Sequence, residues 1–225
     1  HRDSLARDDA PVPTELPEGL EIAGVPTRED ARDAFVGQAS SLDAVPEAAR
    51  IGTSSLRRRA QLVALRPDLE LIDLRGNVDT RLSRLAAGDF DGLVLAAAGL
   101  RRLGRGDEIA FEFEPEQLTP APGQGALILE CRLDDPVESR AQTITDRGAL
   151  ATVSCERAAV AALEANCNTP VGVHAELTPE AQEEFPLEKF AAAYQEAQSA
   201  STAEAINPGG AKSPSDGVVE VEVGV

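Results

Sequence analysis

Residues 51–82 read IGTSSLRRRAQLVALRPDLELIDLRGNVDTRL. IGTSS leads into LRRRAQLVALRP, a helical pattern that Pro67 and Asp68 end. LELIDL follows as a strand, and GNVDTRLSRLAAG reads as a loop and then a helix stopped at Gly88. Strands alternating with helices at this spacing predict parallel βαβ units. Upstream, ELPEGLEIAGVPTR (15–28) reads as a turn, a short strand over Leu20–Val25 and a loop. DAFVG (33–37) reads as another strand. Downstream, FDGLVLAAAG is an apolar strand of the buried parallel kind. ALILECR (126–132) is one more strand, and LATVSCERAAVAALE (150–164) a helix with an Ala, Val and Leu face. NCNTPVGVHAEL is a punctuated loop leading to a strand. Beyond about residue 180, EAQEEFPLEKFAAAYQEAQSASTAEA reads as a surface helix and NPGGAKSPSDG as a linker. VVEVEVGV alternates as a strand whose partner the sequence does not name.

The 225 residues carry a formal net charge of −18, and only Lys189 and Lys212 are lysines among 21 basic residues. Such a surface suits high salt, where self-repulsion is screened. It argues against nucleic-acid binding, which would leave a basic face. Aromatics are 3%, so the cores must rest on Leu, Val, Ile and Ala. No run of 18 apolar residues is present to cross a membrane. HRDSLARDDAPVPT at the start is too polar for a signal peptide. Cys131, Cys155 and Cys167 form no close pair, which argues against a disulfide framework and a zinc site. A reducing cytoplasm and no metal are the expectation.

Against this acidic background, residues 50–105 hold eleven arginines and six carboxylates. Arg57 and Arg58 fall in the first turn of a helix, after Thr53, Ser54 and Ser55. A helix N-terminus offers free N–H groups and a positive dipole end. Arg75 stands at a strand end, Arg81 opens the next helix, and Arg101 and Arg102 follow LVLAAAG. In open parallel sheets the carboxyl ends of strands share one crevice. The arginines therefore predict a cleft for a polyanionic small molecule. Any one of them could equally be solvated or paired with Asp or Glu, and Arg59, Arg66, Arg84 and Arg105 read as ordinary surface residues.

GTSSLRRRAQL, LRGNVDTRL, DGLVLAAAGLRRLG, LTPAPGQGAL and CERAAVAALEANCNTPVG resemble the porphobilinogen deaminase family. VPTELPEGL and REDARDAFV match as well, and the similarity runs from about residue 12 to 177. The resemblance implies hydroxymethylbilane synthase chemistry, in which four porphobilinogen molecules condense head to tail with release of ammonia. Each pyrrole carries an acetate and a propionate, so the growing polypyrrole is a polycarboxylate. By motif, Arg57, Arg58, Arg75, Arg81 and Arg102 would bind it, beside Thr53, Ser54 and Ser55. A dipyrromethane primer would be attached by a thioether to Cys167, in the loop ANCNTPVG. Cys131, mid-strand, and Cys155, on an apolar helix face, read as buried and inert.

The family's catalytic aspartate lies just before its VPTELP motif, where this chain has RDDAP. Ungapped alignment puts Pro11 there; Asp8 or Asp9 would serve only with an insertion, and both also read as plain surface acids. An N-terminal strand and loop of the family has no counterpart here, which implies a truncated chain with weak turnover. The implied fold is α/β, with two periplasmic-binding-protein-like domains around a cleft and a small α+β third domain. The first domain would be incomplete, with residues 1–25 and 123–149. Residues 26–122 would form the arginine-rich second domain and 150–225 the third. The acidic, arginine-rich composition points to a haloarchaeal source, and the expected state is a monomer. Three functions stay open: an active deaminase, a degenerate one, or a non-catalytic polyanion-binding module. The cysteine loop speaks against the last.

Overall fold

The strand and helix alternation of residues 51–82 is present in the computed structural model, which describes residues 16–165, 169–178 and 219–224. Two strands come first, β1 (Leu20–Gly24) and β2 (Asp33–Gly37). β3 (Arg50–Gly52) leads into α1 (Leu56–Leu65), and β4 (Glu70–Ile72) into α2 (Val78–Ala86). The loop residues set both helix starts. The Ser55 side chain accepts from the Arg58 N–H, and Asn77 accepts from the Thr80 N–H. β5 (Gly92–Ala96) passes directly into α3 (Ala97–Arg102). FDGLVLAAAG is thus not one strand. Its alanines, strong helix formers, turn helical at Ala97.

A one-turn 3₁₀ helix (Gly106–Glu108) and β6 (Phe111–Glu112) complete a five-stranded sheet of order β4-β3-β5-β2-β6. β3 is parallel to β4 and β5, but β2 is antiparallel to both β5 and β6. The sheet is therefore mixed, where the sequence predicts a mainly parallel one. The antiparallel entry of β2 has a consequence. Its first residue, Asp33, pairs with Ala96, at the carboxyl end of the parallel strands. Successive β5 side chains alternate between two cores. Leu93 and Leu95 join Leu74, Val78, Leu82 and Leu100, while Val94 joins Ile51, Leu62, Phe35 and Phe113.

β1 pairs antiparallel with β7 (Leu129–Arg132), shorter than the predicted 126–132 because Ala126 closes a turn onto the Gly123 carbonyl. Two crossings, residues 25–32 and 113–128, join this ribbon to the sheet. They touch backbone to backbone, with Glu29 N–H donating to the Gly125 carbonyl at 3.0 Å. Gly125 has φ +80°, and a Cβ there would lie 2.2 Å from the Glu29 carbonyl oxygen, so no larger residue fits.

A short α4 (Glu138–Gln142) and the long α5 (Arg147–Ala162) follow, then β8 (Gly172–Leu177) and β9 (Val219–Gly224). β9 is the terminal strand seen in the sequence, and its partner is β8, paired antiparallel from Gly172↔Gly224 to Leu177↔Val219. The surface helix and linker predicted beyond residue 180 lie outside the described residues. So do Asp8, Asp9 and Cys167.

Candidate functional site

The carboxyl ends of β3, β4 and β5 bring together three loops. Thr53 leaves β3 and donates its N–H to the Ile72 carbonyl at the end of β4, 3.0 Å away. Its hydroxyl accepts from the Ser55 N–H. Thr53 is buried, while Ser54 and Ser55 are partly open.

Arg57 and Arg58 do not project from α1 into solvent as the polyanion reading expects. They are 4% and 1% exposed, because α1 turns Arg57, Arg58, Gln61 and Leu62 inward. The apolar Leu56 and Val63 are half exposed. Both guanidiniums meet a carboxylate of the protein itself. Arg58 Nε donates to Asp33 Oδ1 at 3.0 Å, with Nη2 2.8 Å from the same oxygen. Arg57 Nη1 lies 2.8 Å from Asp33 Oδ2. Asp33 has no exposed surface. Burial alone would push its carboxyl up, but Arg57 and Arg58 outweigh it and hold it below the usual carboxylate range.

The network extends into the second crossing. Gln124 Nε2 donates to Asp33 Oδ1 at 2.9 Å. Arg57 Nη1 also donates to the Thr119 carbonyl at 2.6 Å, and Gln61 both donates to that carbonyl and accepts from the Thr119 N–H. Thr119 in turn abuts the start of β8. A Cβ on Gly172 would stand 2.6 Å from the Thr119 carbonyl oxygen, and Val173 N–H donates to Pro120. The strand that follows the Cys167 loop in sequence is thus seated against the carbonyl that Arg57 holds.

The other predicted arginines divide. Arg81 is buried and donates Nε to the Gly76 carbonyl at 2.9 Å. Arg102 is exposed and donates Nη2 to the Gly125 carbonyl at 2.7 Å, in the contact between the two crossings. Arg75 is 88% exposed beside Asp73. The structure therefore brings Arg57, Arg58 and Arg81 inward at one end of the sheet and leaves Arg75 open there. Each remaining arginine of residues 50–105 also has an internal partner. Arg50 pairs with Asp91, Arg66 with Asp68, Arg84 with Asp89 and Arg105 with Asp79 and Glu108. Arg59 donates to the Leu71 carbonyl, and Arg101 bridges Asp30 and Glu112.

A second buried carboxylate escaped the sequence reading. Glu156, on α5, has no exposed surface and accepts from both Nη atoms of Arg28, from the Gly123 N–H and from the Ala175 N–H. His174 Nδ1 stands 3.7 Å from it, and Nε2 lies 3.0 Å from Glu176. Of the cysteines, Cys131 is buried as expected. Cys155, expected to be buried, is only partly so; that burial and the neighbouring Glu156 push its thiol up to about 11, which disfavours the thiolate. Among the described residues no cluster of His, Cys, Asp and Glu is arranged to hold a metal, and no helix is long and apolar enough to cross a membrane.

Fold and site together define an α/β protein with a cationic, hydroxyl-lined sheet end. Residues 9–139 match the family model described as "Porphobilinogen deaminase, dipyromethane cofactor binding domain", and residues 150–204 match "Porphobilinogen deaminase, C-terminal domain". The chain belongs to the porphobilinogen deaminase family. It is 50% identical over 165 residues to the porphobilinogen deaminase of Phenylobacterium zucineum, covering 73% of this chain and 52% of that one. To the porphobilinogen deaminase of Thermus thermophilus it is 51% identical over 163 residues, covering 72% and 54%. The chain thus spans about half the length of the curated relatives it matches. A periplasmic substrate-binding protein of an ABC transporter from Coxiella burnetii overlaps 56% of this chain and 61% of its own, at 14% identity and TM-score 0.38, too loosely to carry an argument.

Proposed function

We propose that this chain acts as a hydroxymethylbilane synthase, joining porphobilinogen units head to tail with release of ammonia. One observation supports the reading most. Thr119 is held on one side by Arg57 and packs on the other against Gly172 of the strand following the Cys167 loop. A group carried on Cys167 would then grow beside guanidiniums and the N-terminus of α1, both suited to acetate and propionate carboxylates. Arg57 and Arg58 outnumber Asp33, so the donor set keeps a net positive charge, with hydroxyls at Thr53, Ser54 and Ser55, of the kind a dipyrromethane's carboxylates take. Cys167 would carry it by a thioether, and once bound it supplies the free pyrrole position to which substrate is joined. Thr53, Ser54, Ser55, Arg57, Arg58, Arg75, Arg81 and Arg102 would receive the carboxylates. Asp8 or Asp9 would place negative charge beside the pyrrole nitrogen, where positive charge develops.

The domain reading belongs to the same proposal. Residues 26–122 form the arginine-bearing domain, 1–25 with 123–149 belong to a second, and 150–225 form the third. The first two are periplasmic-binding-protein-like and face each other across a cleft. The setting is a monomer in a salt-rich, haloarchaeal cytoplasm. The test is ammonia release from porphobilinogen by purified chain in high salt. Release that Cys167→Ser abolishes supports the function; release that survives Cys167→Ser contradicts it.

A further inference from the structure

We infer that Asp33 is a positioning residue of this site, its carboxylate setting how Arg57 and Arg58 are presented; the inference rests on the reading that these guanidiniums meet substrate carboxylates. Adjacent helix residues point about 100° apart. Arg57 and Arg58 nonetheless converge on one group, each taking a different oxygen of Asp33. The inner face of α1 at Arg57, Arg58 and Gln61 is polar, so hydrogen bonds seat it rather than a row of apolar side chains. Asp33 can act this way because the antiparallel entry of β2 puts its first residue at the sheet end where α1 begins.

Gln124 extends the effect. Its Nε2 donates to Asp33 Oδ1 and to the Ala31 carbonyl, so one amide bridges the second crossing and the end of the first. The geometry of the crossings thereby reaches Arg58 through the Asp33 carboxylate, and Arg57 both through that carboxylate and directly, by its bonds to the Thr119 carbonyl and Gln124 Oε1. Asp33 touches no substrate in this scheme. It acts through the arginines.

The test uses the full chain in high salt, with porphobilinogen as the probe in calorimetric titration and hydrogen exchange of the arginine Nε–H groups followed by NMR. In the unaltered chain the Arg58 Nε–H, donating to Asp33, should exchange slowly with water. Exchange as fast as that of a solvent-exposed arginine overturns the inference without any variant. Asp33→Glu keeps the charge but moves the carboxylate by one methylene. A folded Asp33→Glu chain should bind porphobilinogen at least tenfold more weakly and lose protection at Arg58. Unchanged affinity and unchanged protection would leave Asp33 a charge-balancing role alone and overturn the inference. If the unaltered chain fails to bind porphobilinogen, the proposed function falls by itself, and Arg58 protection in Asp33→Glu still decides for or against positioning.

Discussion

Asp33 and Glu156 are both carboxylates without exposed surface, and both bind arginine, yet they join different things. Asp33 gathers two neighbouring side chains from the first turn of one helix, with one distant donor, Gln124, beside them. Glu156 gathers segments far apart in the chain: Arg28 from the first crossing, Gly123 from the second, and Ala175 from β8. One fixes the first turn of α1 from beneath. The other ties two backbone N–H groups and one arginine side chain, from three segments of the chain, to a single carboxylate. The surroundings differ too. Arg57 and Arg58 are more deeply buried than Arg28, whose side chain is 12% exposed. A buried guanidinium that loses its carboxylate cannot rehydrate, whereas one near the surface partly can.

The difference is open to direct challenge. Asp33→Asn should cost about 3–5 kcal/mol, the range for stripping the partner from a buried charge. Glu156→Gln should cost less, about 2–3 kcal/mol, since Arg28 regains some water while a charged acceptor is lost. Chemical denaturation of both variants at one salt concentration measures this. A larger loss in Glu156→Gln would reverse the ranking and break the comparison.

Proton dependence sharpens it. Burial raises the carboxyls of Asp33 and Glu156, but their cationic neighbours outweigh it, so both titrate below the usual range. Their contribution is present above about pH 4 and is lost as pH falls through the depressed values. His174 runs the other way. Burial alone would push its imidazole down, but Glu156 and Glu176 outweigh it and hold it above its ordinary value. Its charge stabilises fully below about pH 6.5 and the contribution fades as pH rises through the raised value. Thermal melts from neutral into mildly alkaline pH should show a decline that His174→Gln removes. A variant that keeps the decline would place its origin elsewhere.

The smallest effect is expected at Arg75. At 88% exposure its pairing with Asp73 is screened by solvent, so Arg75→Ala should leave the melting temperature unchanged. A clear drop would mean that the open end of the sheet is more tightly built than its exposure implies.

The strand and helix order over residues 51–82 was legible because its punctuation is local: Ser55 and Asn77 as caps, Pro67 as a stop. So was the burial of Cys131, mid-strand, though not the partial exposure of Cys155. The inward face of α1 was not. LRRRAQLVAL offers Leu56, Val63 and Leu65 as apolar positions, but the helix buries Arg57, Arg58 and Gln61 because Asp33, Thr119 and Gln124 await them. Those partners stand 24 to 67 positions away in sequence, beyond the reach of any local pattern. In the sequence Asp33 is only the first residue of the strand DAFVG. Nothing in DAFVG marks its carboxylate as buried; the antiparallel placement of β2 decides that. The partner of the terminal strand was hidden for the same reason, since pairing with β8 spans the chain from residue 172 to 224.

The central claim is that the arginine-bearing sheet end receives a carboxylated pyrrole chain carried on Cys167. Intact-mass and peptide mass spectrometry of the chain, produced with a supply of porphobilinogen, tests it most directly. The account predicts two added pyrrole units, all on the peptide containing Cys167, and none in Cys167→Ser. A folded chain carrying no adduct, or an adduct on Cys131 or Cys155, would contradict it.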